Sequence, residues 1–221
     1  ADLAANDTVR IGCATALIAT LSSVAAGIVA RVATDRWIGV FEYVCTARPV
    51  DAGYWLGAAA VPALLASVTG LSNVGIVWLL SLTAPSTGAA SGLLIGAIAL
   101  MPVAVLGGVC LGIFAAGLGL YLSDPYTGSN FLSIILPVSA GVIVPVSTYP
   151  GWLAWLCSWV PGSRLVQALD TSGSIASSTT PNLFALLATD TALAALYAAI
   201  GLGLTFLAAR RIRAGARASL L

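Results

Sequence analysis

Residues 31–55 read RVATDRWIGVFEYVCTARPVDAGYW, a charged, amphipathic stretch set between two segments apolar enough to cross a bilayer. It holds Arg31, Arg36 and Arg48, three of the nine arginines, together with Glu42, the sole glutamate. Elsewhere charge is scarce: charged residues make up 8% of the 221, hydrophobic residues 59%. Soluble domains carry roughly 25% charged residues, so this chain has too few to cover a water-facing surface. It reads as all-α, a polytopic membrane bundle forming a single transmembrane domain over 1–221. Charge gathered into one loop of such a chain predicts that the loop meets a soluble partner.

Working outward from that loop, a membrane span needs about 20 mostly apolar residues. The segments 11–30, 55–82, 91–122, 131–146 and 183–209 meet or approach this, which predicts five spans. Pro62 and Gly70 interrupt the second, and the third is long enough to tilt or to break near Pro102. The fourth is short and carries Pro137 and Pro145. The first lacks a small-residue cleavage site and ends in Arg31, which argues against a signal peptide. With five spans, seven arginines (31, 36, 48, 210, 211, 213 and 217) fall on one side, and Arg10 and Arg164 on the other. Basic residues concentrate on the cytoplasmic side, so the 31–54 loop, the 123–130 turn and the C-terminus are expected inside. The N-terminus and the 147–182 region are expected outside.

That outer region contains STYPGWLAWLCSWVPGSR, with Trp152, Trp155 and Trp159 at helical spacing between Pro150 and Pro161. Tryptophan favours the membrane interface, where the ring is buried and the N–H stays wet. A helix of about ten residues cannot span. The expectation is an interfacial or re-entrant helix over 151–160 at the outer leaflet, the alternative being a plain loop with scattered aromatics. Gly88, Gly92 and Gly96, and again Gly108 and Gly112, repeat a four-residue spacing that lets helix backbones approach closely.

Several chemistries are excluded. There is no His and no Lys, which removes His-based triads, His-ligated metal sites and a phosphate-binding G-x-x-x-x-G-K-[ST] loop. No clustered acids suggest a metal, and no catalytic, cofactor-binding or metal-ligating residues are assigned. Cys13, Cys45, Cys110 and Cys157 are scattered singly and read as apolar fillers, a Cys13–Cys157 bridge being the remote alternative. Asp190 lies about two turns inside the last span. An acid at that depth is a functional candidate, or it caps and pairs locally with Arg10 or Arg164.

Two motifs carry a family resemblance. Asp35-Arg36, Gly39, Glu42 and Arg48-Pro49 resemble the cytoplasmic loop of ABC-2-type transporter permeases, roughly R-x-x-G-x-x-E-x-L-x-x-T/A-x-P. Gly141 to Pro145, then Tyr149-Pro150-Gly151-Trp152-Leu153 and Val160-Pro161, are similar to that family's G-x-x-x-P…P-x-W-L…x-P signature before its last span. The resemblance covers residues 20–215. It implies the membrane subunit of an exporter in the bacterial inner (plasma) membrane, working as a homo- or heterodimer of permeases with separate ATP-binding subunits. ATP and Mg would be held by the partner ATPase and no cofactor by this chain; nucleic acid is not expected as a partner. It further implies that a coupling helix near 37–46 docks on the ATPase, with Arg36, Trp37, Gly39, Phe41, Glu42, Cys45 and Arg48 as the coupling residues. Trp37, Phe41, Val44 and Cys45 form its apolar stripe; the alternative is a helix lying on the lipid surface. Pro145, Trp152, Trp155 and Trp159 are the expected outer gate. The family has six spans, so its first span, with a preceding amphipathic helix, about 30–60 residues in all, is expected before residue 1. The apolar character of the spans favours a hydrophobic or amphipathic cargo, such as a drug or a membrane lipid. The competing readings are a passive channel, for which Asp190 is the sole candidate lining group, and an embedded enzyme, for which no nucleophile or metal site is visible.

Overall fold

The computed structural model describes residues 2–47, 52–83, 88–122, 124–142, 146–173 and 183–218. Every regular element among them is helical: α1 (Asp2–Trp37), α2 (Val40–Ala47), α3 (Ala52–Thr83), α4 (Gly88–Gly119), α5 (Thr127–Ser139), a 3₁₀ turn (Val146–Thr148), α6 (Gly151–Cys157), α7 (Ser163–Gly173) and α8 (Leu183–Ala218). Four of them are long and apolar enough to cross a membrane: Asp7–Trp37, Ala52–Leu82, Ala90–Gly119 and Leu183–Gly215. An apolar helix can continue through a charged residue when that residue finds a partner. Arg10 does so, donating to both carboxylate oxygens of Asp170 at 2.6 and 2.8 Å, and α1 therefore extends well beyond 11–30.

The expected fifth span, 131–146, is not a long helix. α5 has 13 residues, about 20 Å at 1.5 Å per residue, against a hydrocarbon core of about 30 Å. Its end is built into the backbone. Gly141, at φ 68°, lets the Gly141 N–H reach Val138 O and the Val142 N–H reach Pro137 O, the paired bonds of a Schellman stop. The helix thus ends several residues before the expected span does. By contrast, α3 and α4 run continuously through Pro62 and Pro102. Gly70 does not break α3; it packs there, since a Cβ would overlap Thr20 Oγ1 of α1 and crowd Met101 Sδ of α4.

α4 is central, with α1, α3, α7 and α8 around it. Its glycines serve different neighbours. Gly108 lies against the Leu21 backbone, Gly112 against Ala25 and Ile28, Gly96 against Ser172, and Gly117 back-to-back with Gly201 of α8. Buried side chains of α1, α4, α5 and α7, including Leu17, Leu21, Leu111, Leu136, Leu165 and Leu169, form the main core. All four cysteines are free, so the Cys13–Cys157 bridge does not form.

The connections fix the helix directions. At one end of the bundle the Arg36 guanidinium donates to Gly119 O and Leu122 O at the end of α4. Arg211 of α8 lies 5.4 Å from the Tyr121 ring at that same end. The C-termini of α1, α4 and α8 therefore share this arginine-rich end with the start of α3. Arg10, Asp170 and Ser172 mark the opposite end. Since α4 and α8 run in the same direction, residues 120–182 must carry the chain back between them. α5 begins beside α4 near the arginine-rich end, with Gly128 packed on Ala115, and packs along α1; α7 completes the return.

Candidate functional site

At the arginine-rich end, Gly39 at φ 78° ends α1 and turns the chain into α2. The Gly39 N–H bonds Arg36 O, and Tyr43 N–H returns to Gly39 O. This positive φ is what requires glycine there. α2 is eight residues long, too short to persist alone in water, so its packing holds it. Phe41 (1% exposed) and Cys45 (0%) are buried with Ala209, and Tyr54, Leu120 and Ile212 pack around them. The Phe41 and Tyr54 rings meet edge-on at 6.0 Å. Burial pushes the Cys45 thiol pKa up, with Arg213 pulling the other way.

This geometry corrects the expected docking face. The stripe Trp37–Phe41–Val44–Cys45 is not one outward surface, because α2 starts only at Val40 and Trp37 still belongs to α1. Phe41 and Cys45 anchor α2 to the bundle, and Arg36 caps α4, so none of these three presents a side chain freely. The outward apolar residues are Trp37, Ile38, Val40 and Tyr43, with Tyr43 73% exposed. Trp37 is steadied edge-on by Tyr126 at 5.5 Å. Glu42 is exposed beside them and faces a notch of about 230 Å³ that also touches Arg36, Tyr121 and Arg211. Arg48 lies outside the described residues.

Beside this apron, α1 and α3 are joined by polar contacts. Tyr54 donates its hydroxyl to Asp35 Oδ2 at 3.1 Å, and Arg31 Nη2 lies 3.4 Å from Asp35 Oδ1. Asp35 is 2% exposed. The i, i+4 spacing of Arg31 and Asp35 was visible in the sequence; Tyr54 as third member was not.

Toward the opposite end, the turn that links α6 to α7, Trp159–Gly162, reaches the middle of the bundle. A Cβ on Gly162 (φ 95°) would sit 3.0 Å from Leu21 Cδ1, halfway along α1, and Tyr197 of α8 donates its hydroxyl to Trp159 O at 3.2 Å. α7 then runs back out to the Arg10–Asp170 pair. Asp190 is 1% exposed, and its two carboxylate oxygens lie 3.0 and 3.2 Å from the Gly162 N–H they accept, with Arg164 supplying positive charge nearby. A carboxylate on backbone N–H at a helix start is a stabilising arrangement. Asp190 thus pins the turn before α7 to α8, while Arg10 is taken by Asp170. Trp152, Trp155 and Trp159 are 67%, 61% and 50% exposed; Trp155 and Trp159 meet edge-on at 6.0 Å, and Trp159 lies in the turn beyond α6. They face away from the core, so within one chain they close no path. Pro145 lies outside the described residues.

No group of three or more His, Cys, Asp or Glu side chains among the described residues could hold a metal. No protein-family model, curated protein or solved structure matches this chain. What fold and site define together is a class, a multi-pass helical membrane protein.

Proposed function

We propose that this chain is the permease subunit of an ATP-binding-cassette exporter, of the ABC-2 type its two motifs resemble. A separate ATPase, binding ATP and Mg, drives it, and a second permease completes the path. The cargo is hydrophobic or amphipathic, drug-like or lipid-like, and moves outward across the inner membrane.

The observation that carries the reading is α2. A short helix sits between two long apolar ones at the arginine-rich end, fixed inward by Phe41 and Cys45. It turns Val40, Tyr43 and Glu42 to the outside, next to the exposed Trp37 and Ile38 at the end of α1. Arginine enrichment marks that end as cytoplasmic, where a soluble ATPase would meet it. In this reading α5, α6 and α7 supply the fifth crossing in pieces, and the exposed tryptophans gate a path shared with the second permease.

Co-purification with candidate ATPase subunits tests it. Tyr43→Glu and Trp37→Ala should reduce recovery of the ATPase while the permease stays folded. Equal recovery with both variants refutes docking on this face.

A further inference from the structure

Between α1 and α3 lies an opening of about 700 Å³, within the range of small-molecule sites. Two contacts bound it. Toward the arginine-rich end Tyr54 bonds Asp35; toward the middle Gly27 and Pro62 touch so closely that a Cβ on Gly27 would overlap the proline ring. Eight residues of α1 separate these contacts, about 12 Å along the helix. Gly57 lines the wall between them, and a Cβ there would meet nothing within 4 Å. The window is charged at one end and walled by glycine, alanine and valine toward the other.

Among the described residues that line it, the charged end carries one cation, Arg31, and one anion, Asp35. The Arg31 side chain is 61% exposed and the Asp35 side chain 3%. Asp35 Oδ1 accepts no hydrogen bond; the Arg31 guanidinium lies 3.4 Å away as an ion pair but is not aligned to donate to it. A buried carboxylate oxygen without a donor is costly, and a long exposed arginine can move at little cost. A purely anionic head group would draw Arg31 away and leave Asp35 uncompensated. A zwitterion exchanges one loose pair for two good ones, phosphate on Arg31 and ammonium on Asp35.

We propose that this window binds a phosphoethanolamine lipid, its ammonium donating to Asp35 Oδ1, its phosphate on Arg31 and its acyl chain along the Gly57–Val61 wall toward Pro62. An ammonium with N–H donors is required, because the unmet group is a hydrogen-bond acceptor. A quaternary choline head group supplies charge without donors and fits less well. The site belongs to this chain alone and stands whether or not the chain is a permease.

The test uses the purified chain in detergent, without any ATPase, offered phosphatidylethanolamine, phosphatidylcholine and phosphatidylglycerol of identical acyl chains, with bound lipid counted by native mass spectrometry. Phosphatidylethanolamine should be retained about tenfold more strongly than phosphatidylcholine, the difference one charge-assisted hydrogen bond makes. Gly57→Leu should fill the window and abolish that retention at an unchanged thermal midpoint. Should that variant fail to fold, Val61→Trp, from an exposed position on the same wall, blocks the window instead. Equal retention of the three lipids, preference for phosphatidylglycerol, or undiminished phosphatidylethanolamine binding in a folded blocked variant overturns the proposal.

Discussion

Replacing Phe41 by alanine tests whether α2 is held by its inward face. The ring is 1% exposed and packs with Cys45, Tyr54, Leu120, Ala209 and Ile212. Removing a buried phenylalanine costs about 3–5 kcal/mol in protein cores. The lower end applies here, because the cluster sits at the end of the bundle, where neighbouring side chains can close part of the cavity. An eight-residue helix has little stability of its own, so the cost should appear as local opening of α2 and not as melting of the bundle. About 3 kcal/mol raises the open fraction by roughly two decades. Cys45 reports it directly. Its side chain is 0% exposed and its thiol pKa is raised by burial, so the closed state reacts slowly with maleimide; opening exposes the sulfur and lets the pKa fall back toward its ordinary value. In a chain retaining only Cys45, Phe41→Ala should accelerate labelling about a hundredfold. Tyr43→Ala, on the outward face, should change it by no more than about twofold. An unchanged rate in Phe41→Ala, or an equal acceleration at a lone Cys13 in the α1 core, refutes the anchoring argument.

Gly117→Ala should lower the thermal midpoint in detergent by an amount equivalent to about 1–3 kcal/mol, since its Cβ would lie 2.6 Å from Gly201 O. Gly203→Ala, which meets nothing within 4 Å, should be neutral or stabilise by up to about 1 kcal/mol. Breaking the Arg10–Asp170 pair with Arg10→Ala should cost on the order of 1 kcal/mol, discounted because the Asp170 side chain is 39% exposed; the loss should shrink with added salt in the same melt. Asp190→Leu leaves the buried Gly162 N–H without its acceptor and should cost about 1–3 kcal/mol, with Asp190→Asn milder because an amide oxygen still accepts.

The membrane class, the helical content and four of the long helices were legible from hydropathy, because burying an unpaired backbone in lipid forces long helices. Their lengths were less so. Hydropathy stops at a charge, whereas the folded chain can pair it, as Arg10 pairs with Asp170. The stretch expected as a fifth span is not one long helix, for the opposite reason: residues 131–146 are apolar, but Gly141 supplies the positive φ that lets α5 stop at Ser139. At α2 the sequence placed a helix near 37–46, where the structure has Val40–Ala47, and misread which face points outward. An eight-residue helix has too few turns for periodicity to tell the anchoring side from the exposed one, and Phe41 satisfies either pattern. Local capping by Asp190 was one of two readings open from sequence; which partner it would take, Gly162 in the turn before α7, depended on tertiary packing that spacing does not carry.

α8 joins the arginine-rich end of the molecule to its middle. In its first half Asp190 and Tyr197 hold the turn between α6 and α7; near its end Ala209 and Ile212 receive Phe41 and Cys45 of α2. Between these contacts it is one uninterrupted helix, locked to the central α4 through Gly201 on Gly117. A displacement of α2 therefore has a stiff route to the turn before α7, with side-chain contacts needed only where α8 meets α2 and that turn. Under the permease reading, this makes α8 with α4 the lever and Asp190 the joint where α8 meets that turn. That gives the buried acid a mechanical role in holding backbone amides, and it requires neither proton transfer nor contact between Asp190 and cargo.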